Sequence, residues 1–157
     1  MNLEIERKFL VNMELWKRVK KPAGEYILQG YLIANVDKTI RVRVIGNKAF
    51  MTIKGKTENI TRKEYEFKIP VHIASDLIKN YTGPVIEKLR YNIKYRGKTW
   101  EIDEFMSDNA GLIMAEVELM EENERIDLPQ WVDKEVSDDA RYYNSNLSKN
   151  PYKNWRR

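Results

Sequence analysis

Charged side chains recur at every second position along this chain, and their signs are sorted. Glu4, Glu6 and Lys8 alternate with Leu3, Ile5, Arg7 and Phe9. Arg41 and Arg43 flank Val42, Thr52 and Lys54 flank Ile53, and Glu64, Glu66 and Lys68 flank Tyr65 and Phe67. Further on, Lys88 and Arg90 flank Leu89, Glu101 and Asp103 flank Ile102, and Glu116 and Glu118 flank Val117. Successive side chains of a strand point to opposite faces, so each stretch places a polar set on one face and an apolar set on the other. The ordinary cause of such alternation is a one-sided sheet with its polar face in water. Two features argue for the reverse. Some pairs are wholly acidic and others wholly basic, whereas solubility asks only for mixed charge, and the helical segments with the Trp and Tyr residues can cover the apolar faces from outside. With its charged faces turned inward, the sheet would enclose a polar tunnel lined by carboxylates and cationic groups.

Such a lining suits a polyanion carrying metal ions. Carboxylates hold Mg²⁺ or Mn²⁺, which prefer oxygen ligands and are commonly bound by one or two carboxylates plus phosphate oxygens of the substrate. Arg grips phosphate with a planar fork and Lys as a point charge. Phosphoryl transfer needs little beyond this positioning and charge stabilisation, with water as the nucleophile in a hydrolase. Other chemistries are poorly supplied. The chain has no cysteine, which excludes thiolate zinc sites, disulfides and a thiol nucleophile, and its single histidine, His72, reads as a helix residue without a catalytic role.

The elements that must position these residues follow from pattern and composition. At 157 residues, with 42% hydrophobic and 33% charged, the chain fits one globular domain, 1–157. A formal net charge of +4, from 28 basic and 24 acidic residues, argues against nucleic acid as a partner. No apolar signal core and no run near the ~20 apolar residues of a bilayer span is present, so the chain reads as soluble and cytoplasmic, with no membrane partner. Period-two stretches predict about eight strands: LEIERKFLV, YILQGYLIA, TIRVRVI, KAFMTIKG, RKEYEFKIP, VIEKLRYNIKY, KTWEIDEF and LIMAEVELM. Gly46-Asn47 and Arg96-Gly97-Lys98 signal hairpin turns. Helices are expected over Met13 to Lys20, over Val71 to Tyr81, and from an N-cap within Ser137-Asp138-Asp139 through about Leu147. The fold class is therefore α+β, mainly β: an eight-stranded antiparallel closed barrel with a few flanking helices, closure removing the exposed edges.

Taken in order, Glu4-x-Glu6-x-Lys8, Arg41-x-Arg43, Thr52-x-Lys54, Glu64-x-Glu66, Lys88-x-Arg90, Glu101-x-Asp103 and Glu116-x-Glu118 resemble the signature of the CYTH, or triphosphate tunnel metalloenzyme, superfamily. Leu28-Gln29-Gly30-Tyr31-Leu32 and the run Glu135 to Asn144 resemble segments of its short bacterial inorganic triphosphatases, with Ser137 in place of Thr. The resemblance implies a metal-dependent hydrolase of the terminal phosphoanhydride of tripolyphosphate, extending to nucleoside triphosphates, with two Mg²⁺ or Mn²⁺ ions. It implies metal ligation by Glu4, Glu6, Glu64, Glu66, Asp103, Glu116 and Glu118, with less weight on Glu101. Lys8, Arg41, Arg43, Lys54, Lys88 and Arg90 would bind the phosphate chain, Tyr31 would stand at the tunnel mouth or beside the scissile phosphate, and Arg141 would reach in from the C-terminal helix. Class IV adenylate cyclases and thiamine triphosphatases share the tunnel and are the alternative enzymes; a binding module without turnover is the alternative outside catalysis. Outward apolar strand faces leave room for a homodimer.

Overall fold

Period-two alternation produces strands wherever the sequence carries it. The computed structural model describes residues 2–156. Its strands are β1 (Leu3–Val11), β2 (Glu25–Ala34), β3 (Lys38–Ile45), β4 (Lys48–Gly55), β5 (Thr61–Ile69), β6 (Ile86–Tyr95), β7 (Lys98–Phe105), β8 (Ile113–Glu118) and β9 (Val132–Glu135). Its helices are α1 (Met13–Lys17), α2 (Val71–Tyr81) and α3 (Asn144–Lys149). The sheet runs β5-β4-β3-β2-β6-β7-β8-β1-β9, and all its pairings are antiparallel. β1 meets β8 along Glu6 to Leu10 and β5 along Leu3 to Ile5, which closes the first eight strands into a barrel.

The barrel is built inside out. Cross-strand register sets Lys8 opposite Glu116, Lys54 opposite Glu64 and Arg90 opposite Asp103, so opposite charges face one another across neighbouring strands. The alternate residues form cores on the outer surface. Phe9, Trp100, Ile102 and Val117 pack with Trp16 of α1 and with Trp131, and the Trp16 indole N–H finds Glu104 Oε2 at 2.8 Å. On another side, Ala74 and Ile78 of α2 cover Val42 and Ala49. Gly30 permits the end of α2 to lie against β2, since a Cβ there would sit 2.6 Å from Thr82 Oγ1.

Charge gives way to carbon at one end of the bore. Leu10, Ile86, Phe105 and Met114 share strand faces with Lys8, Lys88, Asp103 and Glu116, yet they join Leu147 of α3 in an apolar cluster. The C-terminal segment is seated on that layer, with Tyr142, Tyr152 and Trp155 packed against it.

Three local expectations need correction. A ninth strand exists: β9 pairs with Phe9 and Val11 of β1, beyond the reach of β5, and its four residues are too short to show a period. Helix α1 stops at Lys17 instead of Lys20; Asn12 caps its start, and Lys21 Nζ takes the carbonyls of Trp16 and Val19, both at 3.0 Å, which ends the helix before Pro22 is reached. Of the expected cap stretch Ser137-Asp138-Asp139, Asp139 does cap, though a short 3-10 turn, and Ser137 does not. Its Oγ accepts from the Lys8 amide at 2.9 Å and donates to Glu135 at 2.6 Å, while Asp139 caps a 3-10 turn over Ala140–Tyr142 ahead of α3. The hairpin expectations match: Gly46, Arg96 and Gly97 take φ of 58°, 46° and 80°.

Trp100 has no exposed surface, and truncating a buried aromatic leaves a cavity as well as a lost transfer free energy. Trp100→Ala is expected to lower unfolding free energy by about 3–5 kcal/mol, read from urea denaturation monitored by circular dichroism.

Candidate active site

Two cavities that share Glu6, Arg41, Arg43, Lys54, Arg90 and Glu116 occupy the bore. The outer one, about 240 Å³, is lined in addition by Glu4, Glu64, Glu66, Glu101 and Glu118. The inner one adds Lys8, Arg62, Lys88, Tyr31, Thr39 and the run Tyr143, Asn144, Ser145. Carboxylates therefore crowd one compartment and cations the next. Strand register causes the division: each acidic or basic pair sits at its own height in the barrel wall.

Most of the expected residues meet there, and their side chains are tied together. Lys8 Nζ lies 3.0 Å from Glu6 and 3.1 Å from Glu116. Lys54 contacts Glu4 at 2.9 Å and Glu64 at 3.3 Å. Thr52 Oγ1 accepts from Arg41 Nη2 at 3.1 Å and donates to Glu66 at 3.1 Å. Arg90 reaches Glu101 at 3.1 Å and grips both oxygens of Asp103 at 2.7 and 2.9 Å. Arg41 keeps a buried Nε–H without a partner, and among the described residues Arg43 makes no ion pair, its Nε bonding only Gln29 Oε1 at 2.9 Å.

Some expected residues stand elsewhere. Asp103 lines neither cavity: it is buried, and Arg90 and Lys88 hold its two oxygens, with Lys88 Nζ at 2.8 Å. A carboxylate enclosed by two cations fits orientation of those cations better than ligation of a metal. Arg141 points away from the bore, paired with Asp139 at 2.7 Å and lying over the Trp155 ring. His72, expected to be a helix residue and not part of the site, lies exposed on α2. Conversely, Arg62, Gln29 and Asn144 contribute to the site without having been singled out. Arg62 Nε bonds Glu4 at 3.1 Å and lines the inner cavity; its spacing of two from Glu64 was the available signal.

The electrostatics record the crowding. Burial works against charge throughout, and neighbours decide the outcome. Lys54 and Arg62 overcome it at Glu4, and Lys8 and Arg90 at Glu116, so both carboxyls titrate below the ordinary range. Asp103 is held at about 2 by Arg90 and Lys88 against its burial. Burial reinforced by Glu116 pushes Glu6 up to about 7, and burial with Glu4 alongside does the same to Glu64. On the cationic side, burial with Arg41 and Arg90 nearby lowers Arg43 to about 9. Burial, with Arg90 and Arg43 adding to it and Asp103 opposing, brings Lys88 to about 7.

The donor set of the outer cavity fits a hard divalent cation. Its anionic groups are all carboxylates, and the burial and neighbouring negative charge that raise Glu6, Glu64 and Glu118 are what a bound cation would offset. Among the described residues no group of three or more acidic or histidine side chains converges closely enough to hold an ion by itself.

Comparison with known proteins agrees with this arrangement. The family model described as CYTH domain matches residues 2–149. An inorganic triphosphatase of Acetivibrio thermocellus is 46% identical over 157 residues, covering 99% of both chains. An inorganic triphosphatase of Nitrosomonas europaea is 35% identical over 153 residues, or 92% of this chain and 96% of that one. The crystal structure of the inorganic triphosphatase NE1496 superposes with a TM-score of 0.66 at 33% identity, covering 92% of this chain and 93% of the other.

Stability should carry the mark of Glu6 and Glu64. A carboxyl whose folded pKa is raised stabilises the fold below its ordinary value and loses that contribution as pH rises through the folded value. The metal-free protein is therefore expected to lose melting temperature between pH 4.5 and about 7, and Glu6→Gln should flatten this slope in calorimetric scans. A wild-type melting temperature that climbs steadily over that interval would contradict the assignment.

Proposed function

The chain belongs to the CYTH domain family, and on that premise we propose that it hydrolyses the terminal phosphoanhydride of inorganic tripolyphosphate, releasing phosphate and pyrophosphate. The relative with 46% identity over 99% of both chains carries the name inorganic triphosphatase, which supports this substrate over a bulkier organic triphosphate. The observation that carries the reading within this chain is the inner cavity, where Lys8, Arg41, Arg43, Lys54, Lys88 and Arg90 converge and cationic hydrogen-bond donors remain unspent. Buried donors without partners are rare in folded proteins; of the two among the described residues, Trp100 Nε1 lies in the outer core, whereas Arg41 lines the inner cavity, where a ligand can supply the acceptor.

In this reading Arg41 and Arg43 fork the phosphate oxygens, and Lys8, Lys54, Lys88 and Arg90 spread their charge over the rest of the chain. Glu4, Glu6, Glu64, Glu66, Glu116 and Glu118 would hold two ions of Mg²⁺ or Mn²⁺. Bound there, such ions screen phosphate charge and acidify an attacking water. Asp103 positions Lys88 and Arg90, and Tyr31 stands beside the reacting phosphate from the wall of the inner cavity. The apolar layer of Leu10, Ile86, Phe105 and Met114 keeps bulk water from entering behind the phosphate chain and strengthens every charge interaction in front of it. Residues 1–157 act as a single unit, and the half-exposed Tyr65 and Phe67 on the outside of β5 offer a surface to a second copy.

Phosphate release from tripolyphosphate is expected with Mg²⁺ or Mn²⁺ and is expected to vanish with a chelator and return on adding metal. Lys8→Ala and Arg43→Ala should each lower kcat/KM by roughly 10- to 100-fold, the loss of a hydrogen bond between charged groups. No turnover of tripolyphosphate, ATP or thiamine triphosphate under any of these conditions would overturn the proposal.

A further inference from the structure

Two of the inner cations are held by neutral amides, and both amide orientations are dictated by their neighbours. Arg43 and Lys88 can only donate. Gln29 Oε1 must therefore face Arg43 Nε, at 2.9 Å, and Asn144 Oδ1 must face Lys88 Nζ, also at 2.9 Å. That leaves Gln29 Nε2 to donate to Asn144 Oδ1 at 3.2 Å, which joins the two amides. Gln29 has no exposed surface, and Asn144 opens α3 on the C-terminal segment that lines the inner cavity.

The choice of amide has an electrostatic meaning. Lys8, Lys54 and Arg90 each touch a carboxylate, and Arg41 lies 3.9 Å from Glu66. Arg43 makes no ion pair among the described residues, and Lys88 shares the single charge of Asp103 with Arg90. A carboxylate at position 29 or 144 would hold the same cations in the same geometry and more tightly. It would also spend their charge. An amide dipole orients a cation and leaves its full charge for an incoming anion.

We propose that Gln29 and Asn144 form a joined amide bracket that positions Arg43 and Lys88 without adding a carboxylate to either, so that Arg43, which makes no ion pair among the described residues, and Lys88, which shares the one charge of Asp103 with Arg90, keep positive charge for the substrate's phosphate. This rests on the triphosphatase reading. The bracket also links the barrel wall to the C-terminal segment, so seating α3 and presenting Lys88 are one event.

Gln29→Glu and Asn144→Asp test it, each at one cation: both keep the shape and the acceptor and add charge, while Gln29→Glu also removes the Nε2 donor that joins the two amides, so stability is compared at Asn144→Asp. A purely structural pair would gain from the change, since an ion pair replaces a neutral hydrogen bond. The bracket predicts a split: KM for tripolyphosphate raised at least 10-fold in both variants with kcat changed less, and for metal-free Asn144→Asp a melting temperature equal to or above wild type. Either variant answers for its own cation if the other fails to fold. Wild-type KM in the variants overturns the bracket, as does an Asn144→Asp variant whose KM rises only in step with a lost melting temperature. Failure of the wild type itself to turn over tripolyphosphate would instead defeat the underlying reading, so the two failures are distinguishable.

Discussion

Everything in this structure depends on keeping charge of both signs inside a barrel without neutralising all of it. Buried ions are tolerated when each finds a partner and are costly when stranded. The bore meets that condition through cross-strand neighbours such as Lys8 with Glu116 and Lys54 with Glu4, then departs from it at a few points. Among the described residues Arg41 Nε lacks a partner and Arg43 lacks an acid, and Glu6 and Glu64 are pushed up to about 7 by burial and neighbouring carboxylates. These departures lie on the walls of the two cavities, and they are complementary: one compartment wants cations and the other wants anions.

An inward polar face forces the hydrophobic cores outward, and this explains the rest of the architecture. The tryptophan cluster under α1 and the α2 platform over β3 and β4 supply the apolar burial that a filled barrel would have found in its centre. The ion pairs inside contribute little net stability of their own once desolvation is counted. Fold stability and site chemistry are thus carried on opposite faces of the same strands, so the lining can be tuned with little disturbance to the packing that holds it.

Much of this was legible because a strand's period is an integer. Once Glu4, Glu6 and Lys8 share a face, so must every residue two positions away, and sorted signs on seven stretches made a closed polar bore the economical reading. Periodicity does not state register or height. It could not show that Asp103 is enclosed by Lys88 and Arg90, because that pairing is set by how β6 and β7 slide against each other. Arg141 misled for a similar reason: its position near the barrel's end is real, but its local partner Asp139, two residues away, claims it. Gln29 and Asn144 stand in the two segments that resemble the family but carry no expected site role, because uncharged amides leave no mark in a charge pattern. The short β9 has too few residues to display any period at all.

The central claim is that substrate and metal lie inside the barrel, on opposite sides of one continuous polar lining. Crystals grown with Mn²⁺ and a non-hydrolysable tripolyphosphate analogue would test it directly through anomalous scattering. The account predicts manganese density against Glu4, Glu6, Glu64, Glu66, Glu116 or Glu118, with the phosphate chain running from there toward Arg41, Arg43 and Lys88. Manganese and phosphate found only on the outer surface, with the bore filled by water and its ion pairs unchanged, would contradict it.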